Sequence, residues 1–195
     1  MIKAVKSFVE EQGCGVMEII QTPLEGVLII EPDVYEDNRG FFLEIYREQR
    51  YNQAGITDKF VQENHSRSVK GVLRGMHFQI QKPQAQIVTV IQGKIFDAVV
   101  DVRKKSRTFG KWHGVILDAD TQQRQVYMSP GFAHGFCVLS DSADLHYKAS
   151  GQYDPDDEGG LNWRDPNIGI AWPDSDFHVK QRDKNFPFLE EIDFG

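Results

Sequence analysis

Gln86-Ile-Val-Thr-Val-Ile-Gln-Gly-Lys-Ile-Phe-Asp-Ala-Val-Val-Asp-Val102 decides the fold class. Its apolar runs are short, rich in β-branched residues and separated by Gln92-Gly93, the pattern of two strands joined at a hinge rather than of one buried helix. The same texture recurs on both sides. Met17 to Pro32 and Phe41 to Tyr46 precede it, and Trp112 to Leu117, Arg124 to Met128, Gly135 to Leu139 and Ala143 to Lys148 follow at near-regular spacing. This series predicts an all-β sandwich or barrel. In the last run, alternation places Ala143, Leu145 and Tyr147 on one face and Asp144, His146 and Lys148 on the other, which turns Tyr147 inward.

Helical patterns are confined to the margins. Ile2 to Gln12 carries apolar residues at 2, 5, 8 and 9 and stops at Gly13-Cys-Gly15, which predicts a short amphipathic helix; Glu48 to Ala54 fits another. Asp37-Asn-Arg-Gly40 reads as a turn, and His65 to Lys70 as a polar stretch. The tail from Gly151, rich in Asp, Pro and Gly and punctuated by Trp163, Trp172 and Phe177, reads as loops folded back over the barrel.

At 195 residues and 40% hydrophobic content, the chain suits one domain with a substantial core. Twenty-two Lys and Arg against 29 Asp and Glu give a formal charge of -7, which disfavours nucleic acid and anionic membranes as partners because both need clustered cations. No run approaches the roughly 20 apolar residues of a spanning helix and no leader pattern is found, so the expected location is the cytoplasm. Cys14 and Cys137 make no disulfide framework, and Cys137 reads as a small buried hydrophobe.

Chemistry enters in Gly71-Val-Leu-Arg-Gly-Met-His-Phe-Gln79, where Arg74 and His77 interrupt a strand-like run and must be hydrogen-bonded or face a cavity. Taken alone, the pair is most simply a satisfied core histidine beside a surface arginine. A metal site is one reading of its wider company, since His77 and His134, the latter in Pro130-Gly-Phe-Ala-His134, resemble parts of the two motifs of metal-binding cupin barrels, oxygenases among them. The second histidine and the glutamate of those motifs are missing, so no metal is expected. Proton transfer is another reading: His77 as base and inward Tyr147 as acid, with a carboxylate to orient the base, suit a carbon next to a carbonyl. Tyr147 as a core phenol with a hydrogen-bond partner is the plainer alternative. Arg39 and Arg74, with Lys148 or Arg182, suit phosphate oxygens. Walker and dinucleotide motifs are absent.

Asp37-Asn-Arg-Gly-Phe-Phe-Leu-Glu44, Gln62-Glu-Asn64, Ser68-Val-Lys-Gly-Val-Leu-Arg-Gly-Met-His-Phe-Gln79, Asp97-Ala-Val-Val-Asp-Val-Arg103, Ser106-Arg-Thr-Phe-Gly110 and Pro130-Gly-Phe-Ala-His-Gly-Phe136 follow one another in this order. From Met17 to Leu189 the chain thereby resembles the dTDP-4-dehydrorhamnose 3,5-epimerase family. The resemblance implies a cupin-type jelly roll with short peripheral helices, a homodimer, no metal or organic cofactor, and epimerisation at C3 and C5 of a nucleotide-linked 4-keto-6-deoxyhexose. At the matching positions it implies that His77 is the base, that Asp183 in Lys180-Gln-Arg-Asp is its paired carboxylate, and that Tyr147 is the acid on the opposite face. It further implies that Arg39 and Glu44 reach the nucleotide across the dimer, that Gln62 and Asn64 line the sugar site, and that Arg74 lies by the phosphates. His134 is then a second active-site histidine, Tyr153 stacks on the base, and Glu158 contacts the nucleotide.

Two positions depart from the family. Gln86 stands where it carries a lysine near the C4 oxygen, and Arg182 replaces a lysine before the paired aspartate. Both are expected to meet the substrate, and the charge missing at Gln86 is made up either by another cation such as Lys148 or Arg182 or by a substrate whose own groups help to stabilise the enolate. Residues 1–16 are an extension and 17–195 a single epimerase domain. A one-centre epimerase, an enzyme for a CDP- or GDP-linked keto sugar, and a non-catalytic sugar-binding cupin remain open. The joint presence of His77, Tyr147 and Asp183 argues against the last.

Overall fold

The computed structural model describes residues 6–11 and 14–194. The strands are β1 (Lys6–Glu11), β2 (Cys14–Gln21), β3 (Val27–Glu31), β4 (Val34–Asp37), β5 (Gly40–Leu43), β6 (Gln62–Val69), β7 (Val72–Gln79), β8 (Gln86–Gln92) and β9 (Lys94–Asp101). They continue with β10 (Trp112–Asp118), β11 (Gln125–Met128), β12 (Phe132–Val138), β13 (Ser142–Ala149), β14 (Glu158–Gly160) and β15 (His178–Val179). Short helices α1 (Glu48–Gln53) and α2 (Gln181–Lys184) and a 3-10 turn at Leu189–Glu191 complete the described elements.

Two sheets face each other. One runs β1-β2-β3-β11-β8-β13-β6, the other β10-β9-β12-β7-β14 with β15 beside β7, and β4-β5 form a separate hairpin. The Gln92-Gly93 hinge is the joint between the layers, because β8 lies in the first sheet and β9 in the second. Gly93 turns there with φ of +79°, and a Cβ would collide with the Ser142 carbonyl. The inward faces pack Val88, Val90, Ile95, Val99, Leu117, Val126 and Leu145 into one core. The tail covers the outer face of the second sheet with Leu161, Trp163, Ile168 and Phe177, while Tyr51 of α1 and Ile56 cover the outer face of the first beside Met17, Ile19 and Tyr127. Cys137 is fully buried, and burial pushes its thiol up to about 12.

One expectation is overturned at the N-terminal end. The predicted N-terminal helix is, over residues 6–11, strand β1, paired antiparallel with β2 from Lys6↔Ile20 to Glu11↔Cys14, and Cys14 and Gly15 belong to β2 rather than to a helix stop. An isolated helix of about 11 residues is marginal, whereas a strand here satisfies the backbone groups along the open edge of β2. The remainder of that predicted helix, with Gly13, lies outside the described residues. β6 begins at Gln62 and runs through the polar stretch to Val69, pairing with β13 from Gln62↔Ala149 to Val69↔Ser142.

One buried charge ties the loop after β9. Asp101 is fully buried and accepts hydrogen bonds from Arg103 Nη2 at 2.7 Å, Ser106 Oγ at 2.6 Å and Thr108 Oγ1 at 2.6 Å. Burial alone would raise its pKa, yet these bonds win and hold it at about 2. The folded value lies below the ordinary 3.8, so Asp101 contributes its full stability above that pH and loses it as pH falls through about 2. Asp101→Asn is expected to cost about 3 kcal/mol in urea denaturation at pH 7 and to flatten the acid limb of the stability profile.

Candidate active site

A cleft of about 370 Å³ opens between the two sheets. Gln62, Asn64 and Ser66 of β6, Gln86 of β8, and Leu145, Tyr147 and Ala149 of β13 line one wall. The register explains this: Gln62, Ala149 and Gln86 lie side by side across three strands, as do Asn64, Tyr147 and Val88, so each row shares one face. The other wall comes from Arg74, His77, Phe78 and Gln79 of β7, Phe132, His134 and Phe136 of β12, and Glu158 of β14.

His77 stands on the second wall, and Asp183 of α2 comes up behind it. Asp183 Oδ2 lies 3.1 Å from His77 Nε2 and accepts the Gly75 N–H at 3.3 Å; its side chain is 3% exposed. Gly75 is required at this point because it has φ of +123° and a Cβ would lie 2.5 Å from Gly135 Cα on β12. Burial raises the proton affinity of Asp183, but the His77 hydrogen bond and charge, the Gly75 N–H and Arg182 outweigh it and hold the carboxyl below its ordinary value. An ionised carboxylate only accepts, so Nε2 is the donor and Nδ1 is left as the basic nitrogen.

Tyr147 stands on the facing wall. Burial raises its phenol pKa against the opposing pull of Arg74, so the hydroxyl keeps its proton at neutral pH. A second histidine, His134, lies beside His77 in register, and its Nε2 is 2.7 Å from Asp97 Oδ2, a carboxylate with no exposed surface. Arg74 is positioned by Ser68 Oγ at 2.9 Å and the Arg67 carbonyl at 3.3 Å. Gln62 donates to Asn64 at 3.0 Å and accepts the Tyr153 N–H at 2.9 Å. Tyr153 Oη donates to Glu158 Oε2 at 2.7 Å. Among the described residues, no three His, Cys, Asp or Glu side chains converge as metal ligands.

Not every candidate gathers here. Arg182 is not among the residues that line the cleft; its Nη2 lies 3.2 Å from His77 Nε2 and its Nη1 2.5 Å from Glu158 Oε2. Arg39 does not line the cleft of its own chain; its side chain is 86% exposed on the turn between β4 and β5 and pairs with Asp37 at 2.5 Å. Glu44 is likewise outside the cleft, paired with Arg47 at 3.1 Å and Arg50 at 3.4 Å. Contrary to expectation, Lys148 does not supply the charge missing at Gln86: it points from the opposite face of β13 to Glu63 and lies over the Tyr46 ring at 4.5 Å. Sequence reasoning missed Ser66, Gln79 and Gln84, which line the cleft, and Asp97, which holds His134. The period of two from Gln62 through Asn64 reaches Ser66, and Asp97 is a charge inside an apolar run.

The dTDP-4-dehydrorhamnose 3,5-epimerase family pattern matches residues 21–191. The chain belongs to this family of isomerases. It is 47% identical over 175 residues to the dTDP-4-dehydrorhamnose 3,5-epimerase of Methanothermobacter thermautotrophicus, covering 88% of this chain and 94% of that one. A dTDP-4-dehydrorhamnose 3-epimerase of Streptomyces niveus is 44% identical over 170 residues, with 86% and 82% covered. The dTDP-6-deoxy-D-glucose-3,5-epimerase of Legionella pneumophila, solved with dTDP-4-keto-L-rhamnose, superposes with a TM-score of 0.88 at 46% identity, covering 91% and 95%. The two-sheet architecture is thus the cupin-type jelly roll of these enzymes.

Proposed function

We propose that the protein converts dTDP-4-dehydro-6-deoxy-D-glucose into dTDP-4-dehydro-L-rhamnose by epimerisation at C3 and C5. The observation that carries this is the His77–Asp183 pair, at 3.1 Å on one wall of a cleft whose facing wall carries a protonated Tyr147. His77 Nδ1 removes the proton from a carbon beside the C4 carbonyl, and the electron pair moves onto the C4 oxygen as an enolate. Tyr147 returns a proton to the opposite face of that carbon, inverting it, and both groups re-equilibrate with solvent. The substrate's own carbonyl acidifies C3 and C5, so the reading needs no metal or cofactor. Gln86 meets the enolate region as a neutral donor, Arg74 serves the diphosphate, and Gln62, Asn64, His134, Tyr153 and Glu158 contribute to the sugar and nucleotide contacts. In this reading residues 17–195 are one cytoplasmic epimerase domain and 1–16 an extension.

The test is kcat/KM for dTDP-, CDP- and GDP-linked 4-keto-6-deoxy sugars, with products assigned by NMR. The dTDP sugar is expected to be preferred and inverted at both centres. A higher value for another nucleotide, inversion at one centre only, or no turnover would overturn the assignment.

The same reading includes a homodimer. Among the described residues the β4-β5 hairpin pairs with no other strand, and it exposes Tyr35, Phe41 and Phe42, the last at 70%, beside exposed Arg39. Such an apolar projection suits a second copy, where Arg39 and Glu44 would reach the partner's cleft. Sedimentation is expected to give a dimer at micromolar concentration, with Phe42→Glu shifting it to monomer and lowering activity. A fully active monomer would refute this.

A further inference from the structure

Arg182 occupies a position between the base pair and the mouth of the cleft that no role as a plain substrate contact explains. Its Nε lies 3.2 Å from Asp183 Oδ1, its Nη2 3.2 Å from His77 Nε2, and its Nη1 2.5 Å from Glu158 Oε2. The two Asp183 oxygens are thereby divided: Oδ2 serves His77 and Gly75, and Oδ1 serves Arg182. Only the carboxylate can accept the Nε2 proton, so the guanidinium is held beside the imidazole by Asp183 and Glu158 rather than by the ring. Glu158 in turn accepts from Tyr153, which is 52% exposed at the mouth. A hydrogen-bonded chain therefore runs from the entrance to the base.

We infer that Arg182 is a positioning residue: it orients Asp183 behind His77 and couples that pair to Glu158 and Tyr153, so that occupancy of the cleft mouth is felt at the base. The inference rests on the proposed epimerase function. A planar fork can span these groups together, whereas a lysine ammonium is a single point charge. Binding at a remote part of the substrate that aligns the reacting groups appears in kcat rather than in KM.

The experiment measures kcat and KM for Arg182→Met and Arg182→Lys on the dTDP-linked 4-keto-6-deoxy sugar, with thermal denaturation as a check on folding. Arg182→Met is expected to lower kcat about 10- to 100-fold, the scale of a base displaced by about an ångström, with KM changed less than about threefold. Arg182→Lys, which keeps the charge and reaches one carboxylate at a time, recovers part of the loss. A raised KM with unchanged kcat, no change in either, or a lysine variant no better than methionine overturns the inference. Wild-type turnover separates the two readings: without it the proposed function fails, and with it an unaltered Arg182→Met variant removes only the positioning role.

Discussion

His77→Asn is expected to lower proton exchange at both C3 and C5 by on the order of 10³- to 10⁴-fold, the upper range for loss of a general base, while the protein stays folded. In the proposed reaction both carbons flank the same carbonyl and share His77 as base, so the two rates are expected to fall together. The amide is close to imidazole in size and the side chain is 31% exposed, so the packing loss is small and the melting temperature moves by only a few degrees. Exchange is read by NMR in heavy water and stability by thermal denaturation. Near wild-type exchange at C5 would remove the role given to His77.

Tyr147→Phe separates the two halves of the reaction. The hydroxyl is lost but the ring, which packs against the core between the sheets, remains, so the fold and the base are unaffected. Exchange on the base side is expected to persist, whereas inverted product falls about 10²- to 10³-fold, because the proton for the opposite face then has to come from water. The comparison is the ratio of exchange to inversion in one sample. A parallel fall in both rates would place Tyr147 in binding rather than in proton delivery.

How far the residues alone carry the fold follows from what each strand faces. β8, β9 and β13 were legible because their inward positions are Val88, Val90, Ile95, Val99 and Leu145, apolar residues buried between the sheets. β6 was not, because its inward positions are Gln62, Asn64 and Ser66, chosen for the cleft rather than for the core, and the apolar alternation that marks a strand is lost. β1 misled in another way: apolar residues at helical spacing are also β-branched or aromatic, and the open edge of β2 decides between the two forms. At the site, His77 and Tyr147 stood out as a titratable group in a strand-like run and an inward phenol. Asp183 came only with the family resemblance, because nothing local in Lys180-Gln-Arg-Asp shows that a short helix brings it behind β7. Asp97 was hidden within Phe96-Asp-Ala-Val-Val, where only the structure shows that its charge meets His134 at 2.7 Å.

In the proposed reaction one base and one acid on opposite walls move solvent-exchangeable protons at the two carbons beside the carbonyl. Its most direct test is the conversion of dTDP-4-dehydro-6-deoxy-D-glucose by the wild-type protein in heavy water, with the hydrogen isotope at C3 and C5 of the product read by NMR. Deuterium at both inverted carbons is the predicted result; an inverted product that keeps its original hydrogen at either carbon would contradict it.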